Sequence, residues 1–106
     1  MGGRRNVNKM VQQVQKMQQE MQRAQEELAR ETVTASAGGG AVKATITGNL
    51  ELVELQIDPE VLDPEDVEML EDLITAAIQD AMAKAAALSE EKMSALTGGI
   101  KIPGLT

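Results

Sequence analysis

The spacing of apolar residues in the first third of the chain predicts one long helix. Over about residues 6–30, apolar side chains recur at alternating intervals of three and four residues, which is the a/d seam of a heptad repeat. No Gly or Pro interrupts this stretch, and the intervening Gln, Glu, Lys and Arg favour helices. A narrow seam is typical of a contact between two helices, so we expect a helical arm. The seam residues are Val7, Met10, Val14, Met17, Met21, Ala24 and Leu28.

Alternation of apolar and polar residues then predicts a three-stranded antiparallel sheet over about residues 32–58. The first turn is the glycine run at residues 38–40, and Gly48 with Asn49 fits a two-residue turn with glycine first. One sheet face is expected to be buried, with Lys43, Thr45 and Thr47 on the other. The apolar residues of the buried face are Val42, Ala44, Ile46, Val53, Leu55 and Ile57.

A broader apolar stripe predicts a helical region over about residues 64–96. Asp63 is the expected N-cap, with Pro64 in the first turn and acidic residues at the positive end of the helix dipole. Ser89 has the features of a second N-cap, so a short third helix over about residues 90–96 is expected at an angle. Residues 97–106 are predicted to form a flexible tail.

These elements predict a single domain spanning residues 1–106, with an α+β fold in the order α-β-β-β-α followed by a short helix. The chain has no Phe, Tyr or Trp, so its core must be built from smaller apolar side chains. We therefore expect a homodimer with helical arms, in which two copies share one apolar interior. The expected core and dimer residues are Val42, Ile46, Val53, Leu55, Ile57, Leu70, Leu73, Ile74 and Ile78.

The chain also lacks Cys and His, which excludes several classes of site. The usual ligands of zinc, copper and haem are missing, as are the commonest general base and the thiol nucleophile. We therefore expect no enzyme activity, no cofactor, no metal and no small-molecule substrate. Without aromatic side chains, reading of single-stranded nucleic acid is disfavoured. No long apolar run predicts a signal peptide or membrane span, which fits a cytoplasmic protein.

Two other features admit a functional interpretation. The acidic residues between 58 and 72 could hold a metal, but they lack the ligand spacing of an EF-hand, and compensation of the helix dipole explains most of them. The glycine run at residues 38–40 could hold a phosphate. It leads into a strand rather than a helix, however, and no Gly-Lys-Ser/Thr follows, so a turn is the better interpretation.

Charge is distributed unevenly along the chain. Residues 1–31 carry six cations and four anions, whereas residues 32–106 carry four cations and thirteen anions. The first 19 residues hold four cations and no anion, although the positive end of the helix dipole disfavours cations there. Either this is a solvated helix face, or the cations serve a function. The candidate DNA-binding residues are Arg4, Arg5, Lys9, Lys16, Arg23, Lys84, Lys92 and Lys101.

Several short motifs follow one another in a fixed order. They are Gly-Gly-Gly-Ala-Val-Lys at 38–43, Ile-Asp-Pro-Glu at 57–60, Leu-Asp-Pro-Glu-Asp at 62–66, Met-Leu-Glu-Asp-Leu-Ile at 69–74 and Met-Ser-Ala-Leu-Thr-Gly-Gly at 93–99. Together they resemble the YbaB/EbfC family of bacterial nucleoid-associated proteins. The likeness runs from about Met10 to Leu105; the Gly48-Asn49 order departs from the expected Asn-Gly.

The resemblance implies an α-β-β-β-α homodimer with tweezer-like arms, located in the cytoplasm at the nucleoid, that binds DNA and alters its conformation. The matched motifs carry no DNA contact, so the candidate cations rest on charge alone. We expect salt-sensitive binding to duplex DNA with little sequence specificity, contributing to nucleoid organisation and gene regulation. The alternative is a homodimeric protein-binding clamp or chaperone-like adaptor without direct DNA contact.

Overall fold

The computed structural model describes residues 2–96, with side chains from Val7 onward. The order of elements confirms the α-β-β-β-α fold. The predicted tail, residues 97–106, lies outside the described residues. The elements are α1 (Gly2–Arg30), β1 (Thr32–Ala37), β2 (Val42–Thr47), β3 (Leu52–Ile57), a single 3₁₀ turn (Pro59–Val61) and α2 (Val67–Leu96).

The three strands form an antiparallel sheet in the order β1-β2-β3. Three consecutive glycines with positive φ make the first turn, as predicted. The second turn is not the predicted two-residue turn, because residues 48–51 separate β2 from β3. Thr47 closes this longer loop: its N–H donates to the Glu51 carbonyl at 2.9 Å, and its hydroxyl accepts from the Glu51 N–H at 3.1 Å. Thr47 is also buried, although the alternation placed it on the polar face.

The core lies between α2 and the first two strands. Ala77, Ala81 and Ala85 of α2 are fully buried, and their small side chains let the helix approach the sheet closely. Across from them lie the buried Val42 and Ile46 of β2, as predicted. The predicted residues that pack against this core while partly buried are Ile57, Leu70, Leu73, Ile74 and Ile78.

The third strand is less covered than the sequence pattern suggests. The register shifts between Thr45 and Ile46, so Leu52 lies opposite Ile46 and Val53 has no partner in β2. Within one chain Val53 is 60% exposed and Leu55 is 36% exposed, although both were expected in the core or the dimer interface. The edge strand β3 thus keeps uncovered apolar side chains.

The two N-caps predicted for the second helical region, Asp63 and Ser89, are both wrong. Asp63 does not cap α2; its carboxylate accepts from the Glu65 N–H at 2.9 Å within a separate turn. The helix begins at Val67, and Asp66 caps it by accepting from the Met69 N–H at 3.2 Å. The predicted third helix is absent from the described residues, because α2 continues unbroken through Ser89 to its end. No Gly or Pro interrupts that stretch, so the helix has no reason to stop there.

Candidate nucleic-acid interface

Helix α1 is anchored at its carboxyl end by close packing around Gly48. The Gly48 N–H donates to the carbonyls of Leu28 at 2.9 Å and Glu31 at 3.0 Å. A Cβ atom at Gly48 would lie 2.7 Å from Leu28 Cδ2 and 2.9 Å from the Leu28 carbonyl oxygen. Leu28 is buried against Gly48, and Ala24, one helical turn earlier on α1, is buried as well. We call Ala24, Leu28 and Gly48 the arm root, and only glycine allows this approach of helix to loop.

A lysine bridge joins the far end of α2 to the same part of α1. The Lys92 ammonium donates to the carboxylates of Glu27 at 2.8 Å and Glu31 at 2.7 Å. The hydrogen bond from Lys92 lowers the pKa of Glu27, and the hydrogen bonds to both carboxylates raise the pKa of Lys92. The bridge joins residues more than 60 positions apart in sequence and so connects the carboxyl end of α2 to the end of α1 nearest the body.

Breaking the lysine bridge is expected to loosen the arm without unfolding the body. In Lys92→Gln, the distance distribution between spin labels on cysteines introduced at Gln12 and Lys43 should broaden. Double electron–electron resonance measures this distribution directly, and the chain has no native cysteine to interfere. Lys84→Gln, which removes a lysine elsewhere on α2, serves as the control. An unchanged distribution in Lys92→Gln would contradict a role for the bridge in setting the arm.

The same labels test the pH dependence of the bridge. Because the pKa of Glu27 is lowered from 4.5 in the folded protein, its stabilising effect is present above 4.5 and is lost as pH falls through the lowered value. The raised pKa of Lys92 preserves the bridge at alkaline pH until that value is passed. We expect the wild-type distribution to broaden at acidic pH, and that of Lys92→Gln to start broad and change little.

Beyond the root, the arm projects from the body. Residues 7–16 are all exposed, and the molecule measures 79 × 27 × 16 Å. Its radius of gyration of 20.9 Å is well above the roughly 13 Å of a compact domain of similar length. Lys9 and Lys16 lie on this projecting part with exposed side chains. No side chain within the described part of the chain forms an ion pair with either ammonium.

The other predicted DNA-binding cations fall into three groups. Arg23 is exposed on α1 closer to the body, near Glu27. Lys84 donates to the Thr34 carbonyl at 3.2 Å and so ties α2 to β1, while Lys92 forms the lysine bridge. Arg4 and Arg5 belong to α1, but their side chains lie outside the described part, as does Lys101 altogether. The structure thus brings Lys9, Lys16 and Arg23 together on one helix.

Sequence reasoning missed the arm root and the lysine bridge. From sequence alone, Glu27 is within reach of Arg23, four residues before it, and of Arg30, three residues after it, on the same helix. Spacing within one helix could not reveal that Lys92, distant in sequence, forms an ion pair with Glu27. For Gly48, the one available signal was a glycine in the turn between the second and third strands.

Over residues 2–96, no cluster of acidic side chains has the arrangement of a metal site. Neither helix in the described range combines the length and apolar character needed to cross a bilayer.

The fold and the projecting basic helix define a class of small α+β proteins with a charged arm. Within that class the chain belongs to the YbaB/EbfC DNA-binding family, whose sequence model matches residues 1–100. It is 56% identical over 105 residues to a nucleoid-associated protein of Pelotomaculum thermopropionicum, covering 99% of this chain and 98% of that one. A nucleoid-associated protein of Alkaliphilus metalliredigens is 50% identical over 105 residues, covering 99% and 92%.

A solved structure shows the same fold. The crystal structure of an uncharacterized protein from Helicobacter pylori superposes with a TM-score of 0.65 at 28% sequence identity. The match covers 85% of this chain and 90% of the other. The architecture described above is therefore also found in an experimentally determined structure.

Proposed function

We propose that this protein binds duplex DNA at the nucleoid, with little sequence specificity, and alters its conformation, contributing to nucleoid organisation and gene regulation. The observation that carries this proposal is a pair of exposed lysines on the arm of an otherwise acidic member of a DNA-binding family, neither of which forms an ion pair within the described part of the chain. The relatives named above are nucleoid-associated proteins, which supports the same location. The proposed role is non-enzymatic and cytoplasmic, with no cofactor.

Phosphate neutralisation accounts for how an acidic protein can bind DNA. Cationic side chains that contact phosphates release counterions from the duplex, and this release raises the affinity. Charges more than a screening length of about 8–10 Å away have little effect, so the charge close to the phosphates decides binding. Lys9 and Lys16 are separated by about 10.5 Å along the helix axis. Both side chains are exposed, and the helix that carries them has more cations than anions. We propose these two and Arg23 as the main contacts, with Arg4, Arg5 and Lys101 as further ones. Lys84 and Lys92 are secondary, because both already donate to protein oxygens.

A homodimer would present the arm twice. We propose that two copies join through β3 and the region leading into α2. This surface carries uncovered apolar side chains on an edge strand, which sheets rarely leave open. With the shared interior in place, the two arms would lie on either side of one duplex. The exposed apolar residues of this surface are Leu52, Val53, Leu55, Leu62 and Val67.

Sedimentation tests the dimer directly. Interference optics are needed, because a chain without Trp or Tyr absorbs little at the usual wavelength. We expect the wild-type mass to be twice 11.3 kDa and that of Leu55→Asp to be close to one chain, because a charge would enter the apolar contact. Gln56→Asp introduces the same charge one residue along the strand and should remain dimeric. A wild-type monomer at micromolar concentration would contradict the proposed assembly.

Salt dependence tests DNA binding. Three cations on each of two arms would neutralise about six phosphates, which predicts a slope of roughly −5 in a plot of log affinity against log salt. Fluorescence anisotropy of a labelled duplex between 50 and 200 mM salt would measure this slope. A slope near zero, or no binding at low salt, would favour the alternative of a protein-binding clamp or adaptor, for which the exposed apolar residues of the arm are the supporting observation.

A further inference from the structure

The side of α1 that faces away from the body carries a regular pattern of cations and amides. Ala24 and Leu28 of the a/d seam are buried, and Glu27 next to the seam binds Lys92, so the seam side of the helix faces the body. Positions b, c and f of the heptad lie on the opposite side of the helix. Between residues 8 and 23, each of these positions holds a cation or an amide, and all of the side chains are exposed. In chain order they are Asn8, Lys9, Gln12, Gln15, Lys16, Gln19, Gln22 and Arg23.

Two glutamines separate each cation on this side from the next. Lys9, Lys16 and Arg23 follow one another at intervals of seven residues, which is about 10.5 Å along the helix axis. Each interval holds one glutamine at position f and one at position b, so cation, amide and amide repeat along the arm. These glutamines, which we call the amide row, are Gln12, Gln15, Gln19 and Gln22.

The other long helix of this protein has a different polar surface. Helix α2, of similar length, contains six acidic residues and one amide, whereas α1 contains three acidic residues and nine amides. Acidic residues in the first turns of α1 would favour the helix dipole, and a Glu at position 12 would form an ion pair with Lys16. The first 19 residues contain no acidic residue, so α1 lacks both stabilising effects. Amides in place of acids suit a surface that meets a polyanion, because they do not repel phosphates.

The amides can also bind phosphates directly. A glutamine side chain has two N–H donors, and Asn and Gln are among the residues that donate to phosphate oxygens in protein–DNA complexes. The cations are about 10.5 Å apart, whereas successive phosphates of one strand are 3.4 Å apart along the duplex axis, so the cations alone would leave phosphates between them without a contact. We propose that the amide row donates hydrogen bonds to these intervening phosphates. This inference rests on the proposed function, because it concerns the same interface.

Hydrogen bonds from the amide row would contribute a part of the affinity that does not depend on salt. The slope of log affinity against log salt counts the cations that replace counterions, and a neutral amide replaces none. The amide row should therefore raise the affinity by the same factor at every salt concentration. Because contacts with phosphates carry no direct sequence information, this factor should also be the same for duplexes of different base composition.

Removing two amides from each arm tests the proposal. In a dimer, Gln12→Ala/Gln19→Ala removes four hydrogen bonds, and at a factor of at least about 2.3 for each bond the affinity for duplex DNA should fall by at least about 25-fold. The slope against log salt should keep its wild-type value, and fluorescence anisotropy of a labelled duplex between 50 and 200 mM salt measures both quantities. Alanine favours helices, so the arm should stay helical. The matched control, Gln18→Ala/Gln25→Ala, makes the same substitutions at the same spacing on the exposed e positions beside the seam, and should bind like the wild type.

The remaining outcomes overturn the proposal in distinct ways. If Gln12→Ala/Gln19→Ala binds like the wild type and only Gln12→Glu/Gln19→Glu binds more weakly, the amides merely keep acidic groups away from the phosphates. An equal loss in the control variant would show that the two faces of the arm do not differ. A loss that differs between a duplex of A·T pairs and one of G·C pairs would place the amides on base edges. A wild-type protein that does not bind, or binds with a slope near zero, would contradict the proposed function itself, whereas these variant outcomes contradict only the amide contacts.

Discussion

Replacing Lys9 and Lys16 together by glutamine is expected to lower the affinity for duplex DNA by roughly 4,000-fold at 0.1 M salt. In a dimer this change removes four phosphate contacts. For each contact, the affinity varies as the salt concentration raised to a power of about −0.9. Glutamine keeps the helix propensity and similar bulk, so the fold should not change. The slope of log affinity against log salt should fall by about 3.6 units, measured by fluorescence anisotropy with a labelled duplex.

The matched control changes the net charge by the same amount as the Lys9 and Lys16 variant, but at positions outside the arm. Lys43→Gln with Gln79→Glu makes the protein more acidic by the same two charges, on β2 and α2, where both side chains are exposed. If the arm provides the contacts, this variant should keep most of the wild-type affinity and slope. An equal loss in both double variants would mean that overall charge governs binding, and the assignment of the arm as the interface would be wrong.

The second large effect is expected at the arm root. Leu28 is 1% exposed, and Leu28→Ala should lower the free energy of unfolding by about 2–5 kcal/mol, the usual cost of a cavity at a buried leucine. Gly48→Ala should cost about 1–3 kcal/mol, because the added Cβ meets both the side chain and the backbone oxygen of Leu28. Urea denaturation followed by far-ultraviolet circular dichroism measures both values.

The double variant tests whether Leu28 and Gly48 stabilise the protein through contact with each other or independently. In Leu28→Ala/Gly48→Ala, the new methyl group occupies part of the space left by the missing leucine side chain. The combined loss should therefore be smaller than the sum of the two single losses, by about 0.5 kcal/mol or more. Gln18→Ala, an exposed position on the same helix, should change stability by less than about 0.5 kcal/mol. Strict additivity of the two root substitutions would contradict the close packing described here.

The elements with strong local periodicity could be predicted from sequence. The heptad seam of α1, the alternation in β2 and the apolar stripe of α2 are each repeated several times within one element, so no distant contact is needed to recognise them. The order of these elements then gives the fold class. The expected burial of Val42 and Ile46 followed from the same alternation.

Details that depend on competition between neighbouring groups could not be predicted. Asp63 and Asp66 both suit a cap, and the structure uses the first in a turn and the second at the helix start. Ser89 has the chemistry of an N-cap, but the good helix formers around it keep the helix continuous. Lys92 was a candidate DNA-binding residue, and its bridge to Glu27 and Glu31 could not be predicted because these partners are distant in sequence. Whether any cation touches DNA is a property of the complex, which periodicity does not encode.

The narrow fit of Gly48 against Leu28 has a mechanical consequence. Arg4 lies 24 residues before Leu28, a distance of about 36 Å along the helix. A tilt of about 10° at that pivot would swing the far end through roughly 6 Å, nearly two base-pair steps of 3.4 Å. Small adjustments in the hairpin loop would therefore be magnified at the tip. Gly48, which has no side chain, would in this way influence which phosphates the proposed DNA-binding arm could reach.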